Sequence, residues 1–164
     1  MLQSWMHRTG PAVSLGLALL YASAVSAADG RRWLADGDSE FARLIYGTPE
    51  SDDMVLSLSC EKDTKTFWVW FAPQPIPVKA SENMPLTIAS DAGELELTAQ
   101  GNHSDMDDSY SLEAKTTLTP AFAKLLSQAK TISIKVENHK MDLPLDDIAL
   151  KGADELVQAC RKTD

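Results

Sequence analysis

Alternation of apolar and polar residues dominates the middle of this chain and predicts a series of short β-strands. In residues 54–60, Met54, Leu56 and Leu58 alternate on one side with Cys60 in phase, and Val55, Ser57 and Ser59 fall on the other side. Residues 131–137 alternate in the same way, which is typical of a strand with one face on a core and the other in water. Further strands are predicted at residues 41–46, 66–72, 85–89, 94–99, 109–115 and 140–145.

Two segments change to the period of an α-helix. Thr119 followed by Pro120 has the form of an N-cap with proline at the first helical position, and Asp146 with Asp147 can cap a second helix near the C-terminus. Behind each cap, apolar residues recur at helical spacing and form one stripe. The stripes are Phe122, Leu125, Leu126 and Ala129 in the first helix, and Ala149, Ala153, Leu156, Val157 and Cys160 in the second.

Many short strands and only two helices indicate a mainly β domain of the α+β class. Hairpin-like spacing between the strands favours a mostly antiparallel sheet or a sandwich. We therefore predict that residues 28–164 form a single β-rich domain, with one short helix and one C-terminal helix that is tied to the sheet.

The first 27 residues have the features of a cleavable signal peptide. Arg8 lies in a short basic region, residues 12–25 carry no charge, and small residues precede the end at Ala27. The uncharged run of 14 residues is shorter than the roughly 20 that a helix needs to span a bilayer. We expect cleavage after Ala27, no stable membrane insertion afterwards, and a periplasmic or secreted location in a bacterium.

The mature chain is strongly acidic. Residues 28–164 contain 14 of the 15 basic residues and all 24 acidic ones, so their formal net charge is −10. A surface of this sign repels the phosphate backbone, which excludes nucleic acid as an expected partner.

Both cysteines, Cys60 and Cys160, lie in the mature chain. Thiols are oxidised outside the cytoplasm, and two cysteines permit only one intramolecular pair. Because Cys60 is on the apolar side of its strand and Cys160 is on the apolar stripe of the last helix, a bond between them would pin that helix to the sheet. Two free thiols or an intermolecular bond are the alternatives.

The strand at residues 66–72 is apolar on both faces. Phe67 and Phe71 alternate with Trp68 and Trp70, which places the two tryptophans on a common face. Burial of both faces in an ordinary core is the favoured interpretation, because large apolar groups are more often buried than displayed. The alternative is that Trp68 and Trp70 form a partner-binding surface, since tryptophan is enriched in interface hot spots.

No residue pattern selects a catalytic or metal centre. Asp105, Asp107 and Asp108 form the densest acidic cluster, but they lack the twelve-residue calcium-ligand pattern, so a solvated loop is favoured over a cation site. His103 and His139 are too few for a zinc site once both cysteines are paired. The chain also lacks a Gly-x-Ser-x-Gly elbow. We therefore expect no enzyme activity, no cofactor and no metal.

Several motifs together give the chain a resemblance to known proteins. Tyr46-Gly47-Thr48-Pro49 and the acidic turn Ser51-Asp52-Asp53 precede the strand that ends in Cys60, and the last helix ends in Cys160. This arrangement resembles small uncharacterised periplasmic proteins of alphaproteobacteria and is distantly similar to the VasI-type periplasmic proteins associated with type VI secretion. The resemblance implies a β-rich extracytoplasmic domain with a structural cysteine pair and no catalytic residues.

These observations predict a non-catalytic periplasmic or secreted protein that binds or supports another envelope component. One alternative is an inhibitor of a periplasmic or host hydrolase, for which the proline-rich residues 73–77 would be the contact loop. Another is a hydrolase whose site is assembled from scattered residues, including His103 or His139. No pattern in the sequence specifies an oligomeric state.

Overall fold

The computed structural model describes residues 30–72, 78–106 and 108–161, so the predicted signal peptide lies outside the described residues. Nine strands and two helices follow one another in this part of the chain. The strands are β1 (Arg32–Gly37), β2 (Phe41–Gly47), β3 (Met54–Glu61), β4 (Thr66–Phe71), β5 (Asn83–Ser90), β6 (Gly93–Ser104), β7 (Ser109–Thr117), β8 (Thr131–Val136) and β9 (His139–Pro144). The helices are α1 (Pro120–Gln128) and α2 (Asp147–Cys160).

The nine strands form one antiparallel sheet that curves into a half-barrel. Their order is β1-β2-β3-β4-β7-β6-β5-β8-β9, so β1 and β9 are the two edges. Every pairing between neighbours is antiparallel. The predicted fold class is confirmed, with a single curved sheet where the sequence also allowed a sandwich.

The two-residue period of each strand decides which side of the sheet it buries. In β4, Phe67, Val69 and Phe71 are fully buried and point to the concave face. Strand register places further apolar residues beside them, because Leu56 of β3 pairs with Phe71 and Leu58 pairs with Val69. The concave face is therefore the core side of the sheet.

Both helices pack on this concave face and begin at the predicted caps. The Thr119 hydroxyl accepts a hydrogen bond from the Phe122 amide at 3.1 Å, and the Asp146 carboxylate accepts one from the Ala149 amide at 2.8 Å. The Phe122 ring of α1 meets the Phe67 ring edge-to-face, with 4.9 Å between the ring centres. The two helices thus fill the hollow of the half-barrel.

A disulfide bond joins Cys60 in β3 to Cys160 at the end of α2, as predicted. The two Cα atoms are 5.6 Å apart and the residues are separated by 100 positions in the sequence. Gly152 marks a second close approach of α2 to the sheet, since a Cβ atom there would lie 2.8 Å from Cδ1 of Leu44. A covalent bond and close packing therefore hold α2 against β1, β2 and β3.

Strand β1 is absent from the predicted elements. Its Trp33 is 1% exposed and anchors it, because the indole N–H donates a 2.7 Å hydrogen bond to the carbonyl of Pro144 in β9. The Asp38 carboxylate accepts hydrogen bonds from the amides of Glu40 and Phe41, both at 2.7 Å, and so forms the turn into β2. The first strand thus depends on contacts with residues distant in sequence.

Candidate functional site

Trp68 and Trp70 lie on the convex face of the sheet, opposite the helices. Their neighbours along β4 fill the core, whereas both tryptophans are only half-buried. Neither helix in the described part of the chain covers them, because the buried residues of both helices meet the concave side. The structure thus places the two candidate residues together at the outer surface of the sheet.

Strand register sets the surroundings of Trp68. It pairs with Ser59 of β3 on one side and with Lys115 of β7 on the other. The Lys115 ammonium lies 5.0 Å from the centre of a Trp68 ring, within the range of a cation–π interaction. Arg43 of β2 follows Ser59 in the same row and forms a 3.3 Å ion pair with Asp36 of β1. Charged side chains therefore border Trp68 in both directions across the sheet, with Lys115 next to it in β7 and Arg43 beyond Ser59 in β2.

The row of Trp70 is more apolar on its β3 side, whereas on its β7 side Trp70 pairs with the exposed Glu113. The partner of Trp70 in β3 is Ser57, which is 8% exposed, and the row continues with Ile45 of β2 and Leu34 of β1. The serine is small, so it does not cover the neighbouring indole. We call this convex surface the tryptophan face; it consists of Leu34, Arg43, Ile45, Ser57, Ser59, Trp68, Trp70 and Lys115.

A small cavity of about 270 Å³ opens beside Trp70 at the end of the sheet. Arg31 and Asp53 line it and form a two-pronged hydrogen-bonded ion pair, with nitrogen–oxygen distances of 3.0 and 2.9 Å. The Arg31 side chain, and next the Thr48 hydroxyl, hold the pKa of Asp53 below its ordinary value of 3.8. This ion pair gives the tryptophan face a polar border.

The acidic cluster surrounds a histidine. In His103, Nε2 lies 2.8 Å from the Asp108 carboxylate and Nδ1 lies 3.2 Å from that of Asp105. The hydrogen bond to Asp108 is the largest cause that raises the pKa of His103 above 6.5, and the Asp105 charge adds to it. Asp107 lies outside the described residues. No group of three or more His, Cys, Asp or Glu side chains within the described ranges is placed to hold a metal ion.

The structure does not bring His103 and His139 together. His103 lies in β6 and His139 begins β9, and three strand intervals separate these strands, or about 14 Å at the usual spacing. Residues 73–77, the contact loop of the inhibitor hypothesis, lie outside the described residues.

A groove between β1 and α2 is a feature that the sequence analysis missed. It has a volume of about 810 Å³ and is lined by Leu34, Ala35, Ile148 and Gly152, among others. Ile148 is 53% exposed. One signal was available in the sequence, since Ile148 falls outside the apolar stripe of α2. Because β1 is not among the predicted strands, the position of Ile148 could not be assigned to a groove.

Comparison with models of known protein families, with curated proteins and with solved structures finds no match for this chain. The resemblance to VasI-type periplasmic proteins therefore stays a prediction. Among the described residues, no helix is long and apolar enough to cross a membrane.

Proposed function

We propose that this chain is a non-catalytic, extracytoplasmic protein that binds another envelope or secreted protein through the tryptophan face. The observation that carries the proposal is the position of Trp68 and Trp70 on the side of the sheet that the helices leave uncovered. Tryptophan is strongly enriched among the residues that dominate binding energy in protein interfaces.

The shape and composition of the tryptophan face favour a protein partner. Small ligands bind mostly in concave pockets, whereas this surface is convex and spans several strands. The two indoles lie together in β4, next to Ser57 and Ser59 of β3, and the charged side chains of Arg43 and Lys115 lie on either side of them. An aromatic centre with a polar rim is the usual anatomy of a protein–protein interface.

An extracytoplasmic location is supported by the disulfide bond. Bonds such as Cys60–Cys160 persist in oxidising compartments and are rare in the cytosol. The predicted signal peptide at residues 1–27 points to the same compartments. A periplasmic or secreted partner would share that environment.

The proposal is tested by affinity capture from the periplasm and culture medium of the source bacterium, followed by measurement of the captured protein's affinity. We compare the mature chain with the Trp68→Ala/Trp70→Ala variant. Loss of one hot-spot residue costs 2 kcal/mol or more, so the double variant should bind at least roughly 30-fold more weakly. Circular dichroism and thermal unfolding establish that the variant is folded.

Tyr110→Ala is the matched control, because Tyr110 is also an accessible aromatic residue, with 37% exposure, but it lies beside His103 and outside the tryptophan face. We expect this control to bind as the unmodified chain does. Equal binding by a folded Trp68→Ala/Trp70→Ala variant would refute the proposal.

A further inference from the structure

Strand β1 is an edge of the sheet with a free row of backbone groups. The hydrogen bond from the Asp38 amide to the Phe41 carbonyl, 2.9 Å long, fixes which residues of the β1–β2 hairpin bond to each other. Antiparallel ladders alternate between bonded and non-bonded pairs, so the N–H and C=O groups of Trp33, Ala35 and Gly37 point away from β2. No strand of the described chain pairs with that side of β1.

The convex-side residues of β1, the exposed Arg32 and Asp36 and the half-buried Leu34, are complementary to a second copy of the same strand. Arg32, Leu34 and Asp36 alternate on the convex side, with a positive charge at one end and a negative charge at the other. If two β1 strands pair antiparallel about a two-fold axis at Leu34, each Arg32 lies opposite Asp36 of the second copy. The two Leu34 side chains then face each other across the axis.

The same register also lets the backbone N–H and C=O groups of the free edge form hydrogen bonds between the two copies. It places Trp33 opposite Ala35 of the second copy, and both are residues whose backbone groups point to the free edge. The Leu34 and Arg32 positions become non-bonded pairs, in which side chains from the two strands come closest. Charge pairing, apolar contact and hydrogen bonding are therefore compatible in one register.

The surroundings of the two sheet edges differ. Beside β1, the 810 Å³ groove and the half-exposed Ile148 leave room for another chain. At β9, Lys140 forms a 2.9 Å ion pair with Asp142 of the same strand, and Pro144 has no N–H to donate. The carbonyl of Pro144 is already bonded to Trp33. At β1, Asp36 pairs with Arg43 of β2 at 3.3 Å but its side chain is still 61% exposed, so Arg32 of the second copy would approach the open side of that carboxylate. At β9 the charges pair within the strand itself.

We propose that β1 is the interface of a two-fold symmetric homodimer, in which a second copy of this chain extends the sheet with Arg32 opposite Asp36. The row that contains Trp70 then continues through Leu34 into the second copy. Seven strand intervals separate the two Trp70 residues, or about 34 Å at the usual spacing. The dimer would therefore present two tryptophan faces on one surface, which permits bivalent binding of a repetitive or dimeric partner.

Charge exchange tests this interface in solution. Sedimentation velocity should show a dimer for the mature chain. Both Arg32→Asp and Asp36→Arg should weaken dimerisation by roughly tenfold or more, because each puts like charges opposite each other. An equimolar mixture of the two variants should recover dimers, since in the mixed pair both contacts join an aspartate to an arginine. Asp105→Arg, a charge change at an exposed position away from β1, should leave the dimer unchanged.

A cysteine at the axis gives a second readout. In the proposed register Leu34→Cys meets its own copy in a non-bonded pair and should form an interchain disulfide under mild oxidation, whereas Arg32→Cys should not, because it lies opposite Asp36. Thermal unfolding checks that the variants are folded. A mature chain that stays monomeric, single charge variants that dimerise normally, a mixture that stays monomeric, or no Leu34→Cys crosslink would each overturn the proposal.

Discussion

Removal of the disulfide should cost this protein a large part of its stability. The perturbation is the double variant Cys60→Ala/Cys160→Ala, which removes the bond and leaves no unpaired thiol behind. The bond spans 100 residues, and the loop-closure model assigns about 4.7 kcal/mol to a loop of that length. Loss of native disulfides in small secreted domains typically costs 2–5 kcal/mol, so we expect the free energy of unfolding to fall by about 4 kcal/mol.

Equilibrium unfolding in guanidinium chloride, followed by tryptophan fluorescence, measures this loss. Against the 5–15 kcal/mol that usually separates folded from unfolded domains, about 4 kcal/mol is a large fraction. Reductant should lower the stability of the unmodified chain to nearly the value of the double variant and should not affect the variant itself. A loss below about 1 kcal/mol would refute the reasoning, because the open chain would then gain little conformational freedom on unfolding.

Three further perturbations test the local packing. Gly152→Ala gains about 1 kcal/mol of helix propensity, but its Cβ would lie 2.8 Å from Cδ1 of the fully buried Leu44. We therefore expect thermal unfolding to show a net loss of about 1–2 kcal/mol in the free energy of unfolding. A variant that is more stable than the unmodified chain would contradict this expectation. Asp146→Ala removes the N-cap of α2 and should lower the free energy of unfolding by about 1 kcal/mol in the same assay. Asp146→Asn should retain most of the stability that the cap contributes, because asparagine is also a good N-cap residue. His103 has a raised pKa, so its protonated form stabilises the fold fully below pH 6.5, and this contribution is lost as the pH rises through the raised pKa. Asp108→Asn should lower the pKa of His103 in an NMR titration; an unchanged pKa would contradict the assigned cause.

The sequence predicts most of the sheet and both helices because their signals are local. Alternation in residues 131–137 and the Thr119 cap are present in short stretches, and the structure contains the corresponding elements. Strand β1 differs because it has only Trp33 and Leu34 as large apolar residues and lies next to a turn rich in acidic residues. It is ordered by pairing with β2 and by the indole contact with Pro144, and neither is visible in a window around residue 33.

The candidate site is predictable only in part, for a related reason. The period of two places Trp68 and Trp70 on one face, but β4 is apolar on both faces, so its sequence cannot tell which side meets the helices. The neighbouring strand β3 determines which face of β4 is buried. It has Ser57 and Ser59 in register with the tryptophans and Leu58 in register with the core side.

Comparison of β3 with β4 also distinguishes the residues that the fold requires from those on the convex side that it does not require. Ser57 and Ser59 show that small polar residues are compatible with the convex side of a central strand. The indoles beside them are therefore not required by the position, whereas Phe67, Val69 and Phe71 fill a core that the helices close. Because α2 is fixed on the concave side by the disulfide, the stabilising contacts and the tryptophan face lie on opposite sides of one sheet. Substitution of the tryptophans can thus test binding with little change to the core.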